Sequence, residues 1–263
     1  MISKKTEKVI SNKEPEKGLL VSLQQRAGRG NSGRITVRHK GGGVKKLYRM
    51  VDFGQAKKDV VGKVLAIEYD PYRTAFIMLL EYEGKERFYQ LAPHGMRAGD
   101  EIICSDGGDI KMGNRMRIKN IPIGALVYNV ELYPDGGGKI VRSAGAGARV
   151  LAHEGNYANL QMPSGEVRRV FQNCFASIGS VSHPEKKYEQ IGKAGTSRLM
   201  GIRPGVRGKV MNPCDHPHGG GEGNTPIGLP APRTPWGKLA RGGKTRRKSW
   251  TNKMIISRRV KKS

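Results

Sequence analysis

Of the 26 positive charges that this chain carries in excess, 23 lie toward its two ends, and that segregation limits what it can fold into. Residues 1–45 hold 11 basic and 3 acidic side chains, and residues 46–115 hold 11 of each. Residues 116–190 hold 9 and 6, and residues 191–263 hold 17 and 2, with no acid after Glu222. Like charges at that density repel one another unless an anion neutralises them, whereas the near-neutral middle carries no such penalty. The last 73 residues also contain 7 of the 14 prolines and 13 of the 37 glycines, with little apolar periodicity. Such a segment buries too little apolar surface to offset its ordering entropy, so alone it is expected to be extended or disordered. A polyanion is the first partner that this pattern implies.

The middle reads as all-β. Val60–Tyr69, Thr74–Tyr82, Glu86–Leu91 and Glu101–Cys104 are rich in β-branched and aromatic residues, and turn sequences such as Asp70-Pro71-Tyr72-Arg73 and Glu83-Gly84-Lys85 separate them. This spacing predicts a small barrel of roughly five strands. A second set is predicted at Ala125–Tyr133, Lys139–Arg142, Ala148–His153, Tyr157–Met162, Glu166–Phe171 and Ala176–Val181, with the boundary near Lys111–Asn120. No helical period stands out; Glu185–Gly192 has room for a turn or two. The division expected is a basic extension at 1–45, a barrel at 46–115, a second barrel at 116–190 and a basic Gly/Pro-rich extension at 191–263.

Several classes of protein are excluded at this stage. No run of about 18 apolar residues exists to form a transmembrane helix, and no membrane partner is expected. The charged first 20 residues lack the apolar stretch of a secretory signal. Cys104, Cys174 and Cys214 lie far apart, which argues against a disulfide scaffold or zinc ribbon and suits a reducing compartment. Gly243-Lys244-Thr245 resembles the end of a phosphate-binding loop, but position 238, where that motif needs glycine, is Lys. No cofactor and no metal are expected.

The most enzyme-like constellation is Asp215-His216-Pro217-His218, followed by Gly219-Gly220-Gly221-Glu222-Gly223. Acid–base work on a phosphodiester, or metal binding with Cys214, needs a rigid supporting shell, and these glycines and prolines do not supply one. The preferred reading is a tight loop that approaches a phosphate backbone, with His216 and His218 donating hydrogen bonds. Arg29, Arg34, Arg38, His39 and Lys40 repeat that logic among the glycines near the other end, where arginine can fork onto phosphate or stack on a base. Arg73 and Arg142 each end a predicted strand, and an arginine held on a barrel loop suits a specific RNA contact.

Gly33-Arg34-Ile35-Thr36, Arg38-His39-Lys40-Gly41-Gly42-Gly43, Tyr48-Arg49-Met50-Val51-Asp52-Phe53 and Glu68-Tyr69-Asp70-Pro71-Tyr72-Arg73 occur in this order. Leu91-Ala92-Pro93, Ile121-Pro122-Ile123-Gly124, Arg142-Ser143-Ala144-Gly145 and Leu160–Glu166 follow, and then Arg203-Pro204-Gly205-Val206-Arg207-Gly208 and Met211–Gly223. The chain thereby resembles the universal large-ribosomal-subunit protein L-two family, in its bacterial or organellar form. The first 25 residues, Cys214 and Thr225–Pro235 depart from the family's pattern. The resemblance implies an OB-fold barrel followed by an SH3-like barrel, with basic extensions running into large-subunit ribosomal RNA. It also implies a place near the peptidyl transferase centre, and partners in neighbouring ribosomal proteins, in the small subunit through an intersubunit bridge, and in nearby tRNA. Its RNA-contacting arginines correspond to Arg73 and Arg142, and its histidine near the catalytic RNA to His216.

The functional reading is a structural, non-catalytic constituent of the large ribosomal subunit, in the cytoplasm on a bacterial ribosome, with an organellar ribosome as the alternative. Arg203, Arg207, Lys244, Arg246 and Arg247 join the RNA-contact candidates. An RNA-cleaving or RNA-modifying enzyme using the Asp215–His218 loop, and a DNA-compacting basic protein, are the rivals. If the basic ends contact some ten phosphates, log Kd for structured ribosomal RNA varies with log salt with a slope of roughly 7 to 9 in magnitude. A titration across salt concentrations measures it, and a slope of about 2 contradicts the reading.

Overall fold

The computed structural model describes residues 10–11, 13–54 and 57–259. They divide into two compact units. The first consists of the described residues up to Gln24, residues 46–190 and the described residues from Thr251 on; the second consists of residues 25–45 and 191–250.

In the first unit, β1 (Leu20–Ser22) pairs antiparallel with β2 (Leu47–Arg49). An antiparallel sheet follows, built of β3 (Val61–Glu68), β4 (Ile77–Glu81), β5 (Arg87–Leu91) and β6 (Glu101–Ile103) in the order β5-β4-β3-β6. These four lie where the sequence predicts strands. A bulge at Leu65 shifts the β3–β4 register, and a bulge bends and twists the strand that carries it. Strand β4 reads as an unbroken apolar run because both of its faces are covered. Met78 and Leu80 pack with Val64, Phe76 and Ile102 on one side. Ile77 and Leu79 pack with Ala66 and Tyr89 on the other, where Leu19 and Val51 close the layer.

The second barrel contains β7 (Arg115–Arg117), β8 (Leu126–Tyr128), β9 (Val130–Glu131), β10 (Gly138–Ile140), β11 (Ala148–Glu154), β12 (Tyr157–Gln161), β13 (Val167–Phe171) and β14 (Phe175–Ile178). Six of these strands and β15 (Ile255–Ser257) form one sheet in the order β15-β13-β12-β11-β8-β14-β7, while β9 pairs with β10. The strand predicted over 125–133 breaks at Asn129, whose φ of 49° takes the chain out of extended geometry. Strands β1 and β15 lie within the two expected basic extensions. The six residues of α1 (Ala194–Leu199), in the second unit, are too few to show a period in the sequence.

Strand β7 falls in the zone expected to be a boundary because its Arg-Met-Arg sequence gives no apolar signal. Nonetheless Arg115 is fully buried, paired with Glu131 at 2.9 Å. Its guanidinium also donates to the Asn129 carbonyl at 2.7 Å, and the second Glu131 carboxylate oxygen accepts the Phe175 N–H at 3.0 Å. Around the pair lies the apolar core of Val127, Val150, Leu160, Val170 and Ala176. Removing one partner of such a pair strands the other charge in low dielectric. Arg115→Leu should therefore lower unfolding free energy by about 3–5 kcal/mol, whereas the double change Arg115→Leu with Glu131→Leu should recover much of the loss. Urea denaturation measures both; a single variant as stable as the parent contradicts the account.

Candidate nucleic-acid interface

Arg73 is positioned by the turn that joins β3 to β4. Asp at the first and Pro at the second position favour a tight turn. The buried Asp70 carboxylate fixes it, accepting the Tyr72 N–H at 2.8 Å on one oxygen and pairing with the Arg73 guanidinium on the other. A second Arg73 nitrogen donates to the Tyr48 hydroxyl at 2.8 Å. The guanidinium is thus held in place, and much of its charge is locally neutralised.

Arg142 follows β10 on the other barrel and is exposed. One of its nitrogens donates to the Gly138 carbonyl at 3.2 Å. Both guanidinium groups lie over the same ring, that of Phe53, with Arg142 4.4 Å and Arg73 5.4 Å from its centroid. Phe53 is tied to the second barrel, because its carbonyl accepts the Gly138 N–H at 2.8 Å and an Asn129 side-chain N–H at 3.3 Å. Two arginines 69 positions apart in sequence thereby converge on one cleft of about 650 Å3. Tyr48, Tyr72, Lys139, Thr74 and Ser143 line it as well, over Leu91 and Val141.

The remaining candidates lie in the second unit, where residues from opposite ends of the sequence meet. The Gly41 N–H donates to the Gly201 carbonyl at 2.7 Å, the Val44 N–H to the Leu199 carbonyl at 2.9 Å, and the Arg203 N–H to the His39 carbonyl at 3.0 Å. Lys40 bridges Ile202. Gly43, at φ +66°, has no room for a side chain, since a Cβ there would lie 2.8 Å from the Leu199 carbonyl oxygen. Here the glycines admit the chain's own backbone. Arg38 lies 5.5 Å over the exposed Trp236 ring. Arg29 folds back to donate to the Ala27 carbonyl at 2.9 Å. Arg34, Arg203, Arg207, Lys244, Arg246 and Arg247 are exposed. No apolar side chain of this unit is buried, and His216 is its one buried polar residue.

The two loop histidines are occupied by backbone. His216 Nδ1 accepts the His218 N–H at 3.0 Å, and His218 Nε2 accepts the Arg233 N–H at 2.9 Å. In the neutral ring the proton then sits on the other nitrogen of each, His216 Nε2 and His218 Nδ1, which can donate. Among the described residues neither ring is paired with a carboxylate. The thiols are no better suited to chemistry: burial pushes Cys104 up to about 11 and Cys174 up to about 12, so both stay protonated. Cys214 is exposed.

Sequence reasoning singled out Arg73 and Arg142 separately but missed their meeting on Phe53, and it missed Tyr48, Tyr72 and Lys139. The one available signal was the interleaving of aromatic and basic residues along 46–53 and 72–73, the combination that nucleic-acid surfaces use for stacking and charge.

Two all-β barrels that share an arginine–aromatic cleft, with a coreless basic unit, define a class of RNA-binding protein. Family models match the chain twice: "Ribosomal Proteins L2, RNA binding N-terminal domain" over residues 16–104, and "Ribosomal Proteins L2, C-terminal domain" over residues 111–237. The chain belongs to the ribosomal L2 family. Its first barrel is accordingly OB-like and its second SH3-like, and its role is structural, as an RNA-binding protein of the large subunit in translation.

The His216 loop carries its own test. A Cβ added at Gly208 would fall inside the van der Waals shell of the His216 ring. Gly208→Ala should thus speed limited proteolysis within 203–223 several-fold and leave the barrels' unfolding midpoint within about 1 °C, as expected of a change outside the core. Unchanged cleavage would show that the ring does not organise this loop.

Proposed function

We propose that the chain binds large-subunit ribosomal RNA through the Arg73–Phe53–Arg142 cleft and through the basic residues of 25–45 and 191–250. In this reading it lies near the peptidyl transferase centre, supports association with the small subunit and placement of tRNA, and catalyses nothing itself. Neighbouring ribosomal proteins complete its surroundings, and its ribosome is of bacterial type, in the cytoplasm. The observation that supports this best is the convergence of two arginines, one from each barrel, on a single aromatic ring beside an open cleft. The basic unit adds an electrostatic argument. It has many cations, two acids and no apolar core, so a polyanion is the counterpart that lowers its self-repulsion and orders it. The hydrolytic reading of the Asp215–His218 loop gains no support, because one nitrogen of each imidazole already holds a backbone N–H.

Arg142→Ala is the cleaner test because Arg142 is exposed. It should weaken binding to a large-subunit ribosomal RNA fragment by roughly 10- to 100-fold, as loss of a charge-assisted hydrogen bond implies, with thermal unfolding unchanged. Arg73→Ala should weaken binding similarly and also cost about 1–3 kcal/mol of stability, since it leaves the buried Asp70 carboxylate without its partner. Filter binding with calorimetry separates the two effects. Parental affinity in both variants contradicts the proposal, as does turnover of RNA by the purified chain that His216→Ala abolishes.

A further inference from the structure

We infer that the Arg73–Phe53–Arg142 cleft takes a single unpaired nucleobase, swung out of a bulge or loop, rather than lying against the backbone of an RNA duplex. The inference rests on the proposal that this cleft contacts RNA, and it specifies the ligand.

Three features of the cleft carry it. The first is its concavity. A duplex is recognised by 2′-hydroxyl and phosphate contacts spread over many base pairs, a footprint much wider than this cleft. The space here, about 650 Å3 and open to solvent, has the size of a single small-molecule site, roughly 300–1,000 Å3. The second is its lining. Aromatic rings (Tyr48, Phe53, Tyr72) and cations (Arg73, Arg142, Lys139) line it together with the apolar Leu91 and Val141 and the hydroxyl residues Thr74 and Ser143. Planar surfaces for stacking, with cations within reach of one phosphate, are what an extruded nucleotide needs and a duplex does not.

The third is the inequality of the two arginines. Arg73 is neutralised by Asp70 and held by the Tyr48 hydroxyl, so it adds little net attraction for a phosphate. It offers instead a fixed planar group with further N–H donors, suited to a base edge or face. Arg142 and Lys139 are exposed, with no ion pair to an acid among the described residues, and can follow the nucleotide's phosphate. The Tyr72 ring, 39 % exposed, is set edge-on to Tyr48 at 5.5 Å between centroids, and its hydroxyl donates to the Lys46 carbonyl at 3.4 Å. The platform is therefore in place before any ligand arrives. Val141 adds a sign of specialised backbone at the same spot. It is β-branched yet sits at φ +55°, a conformation that such residues rarely adopt and that tends to occur at binding sites.

The experiment uses the full chain and fragments of large-subunit ribosomal RNA that it retains. Each unpaired adenine in turn is replaced by 2-aminopurine, whose fluorescence reports stacking. One position should change its fluorescence severalfold on binding, and the change should vanish in Tyr72→Ala and survive in Tyr72→Phe. Tyr72→Ala should also raise Kd by roughly 5- to 100-fold, as loss of one base–aromatic stack implies, while Tyr72→Phe stays within about threefold of the parent. If Arg142→Ala weakens binding but no position responds and Tyr72→Ala binds as the parent does, the cleft contacts RNA without taking a base, and this inference fails alone. If neither arginine variant weakens binding, the contact itself fails and the inference with it.

Discussion

Uncompensated positive charge cannot be carried into an apolar core, and the division of this molecule follows from that constraint. Among the described residues, buried apolar side chains lie only between Val64 and Val181, a span in which acids and bases nearly balance. Among the described residues Arg115 is the one buried arginine, and it is paired with Glu131 and bonded to the Asn129 carbonyl. Beyond the barrels, residues 25–45 and 191–250 are joined by backbone hydrogen bonds and close glycine packing, with no buried apolar side chain. Such hydrogen bonds contribute only about 0.5–1.5 kcal/mol each against water, and they work against both ordering entropy and charge repulsion. On that balance the unit is expected to hold this geometry only when a polyanion neutralises it.

In the proposed reading the barrels meet RNA differently. In the cleft two arginines lie over Phe53: Arg73 is held by Asp70 and Tyr48, while Arg142, bonded to the Gly138 carbonyl, stays exposed. A basic segment with many interchangeable charges supplies affinity and salt dependence, whereas one held and one exposed guanidinium at a cleft supply position and selectivity. A protein that must dock at one place on a folded RNA and also neutralise crevices around it needs both.

How far the sequence revealed this depended on the length scale of each signal. Strands β3 to β6 were legible because long β-branched runs are broken by Asp-Pro and Glu-Gly turns, and β11 to β14 for a similar reason. Strand β7 was not, since Arg-Met-Arg is three residues long and its buried arginine is compensated by an acid 16 positions away. The interruption at Asn129 was missed because a single left-handed residue leaves no compositional trace. At the site, Arg73 and Arg142 stood out individually as strand-ending arginines. Their convergence on Phe53 is a tertiary fact, set by hydrogen bonds from Gly138 and Asn129 to the Phe53 carbonyl, and no local pattern encodes it. In the sequence the glycines near Lys40 and His216 suggest room for a phosphate backbone, whereas Gly43 and Gly208 make room for parts of the chain itself.

Hydrogen exchange on the full chain, free and bound to large-subunit ribosomal RNA, tests the central claim most directly. The account predicts that in the free chain the backbone amides of Gly41, Val44, Arg203 and His218 exchange within seconds while those of β3, β4 and β12 stay protected, and that RNA slows the first group by orders of magnitude. Strong protection of those four amides without RNA, at ordinary ionic strength, would contradict it.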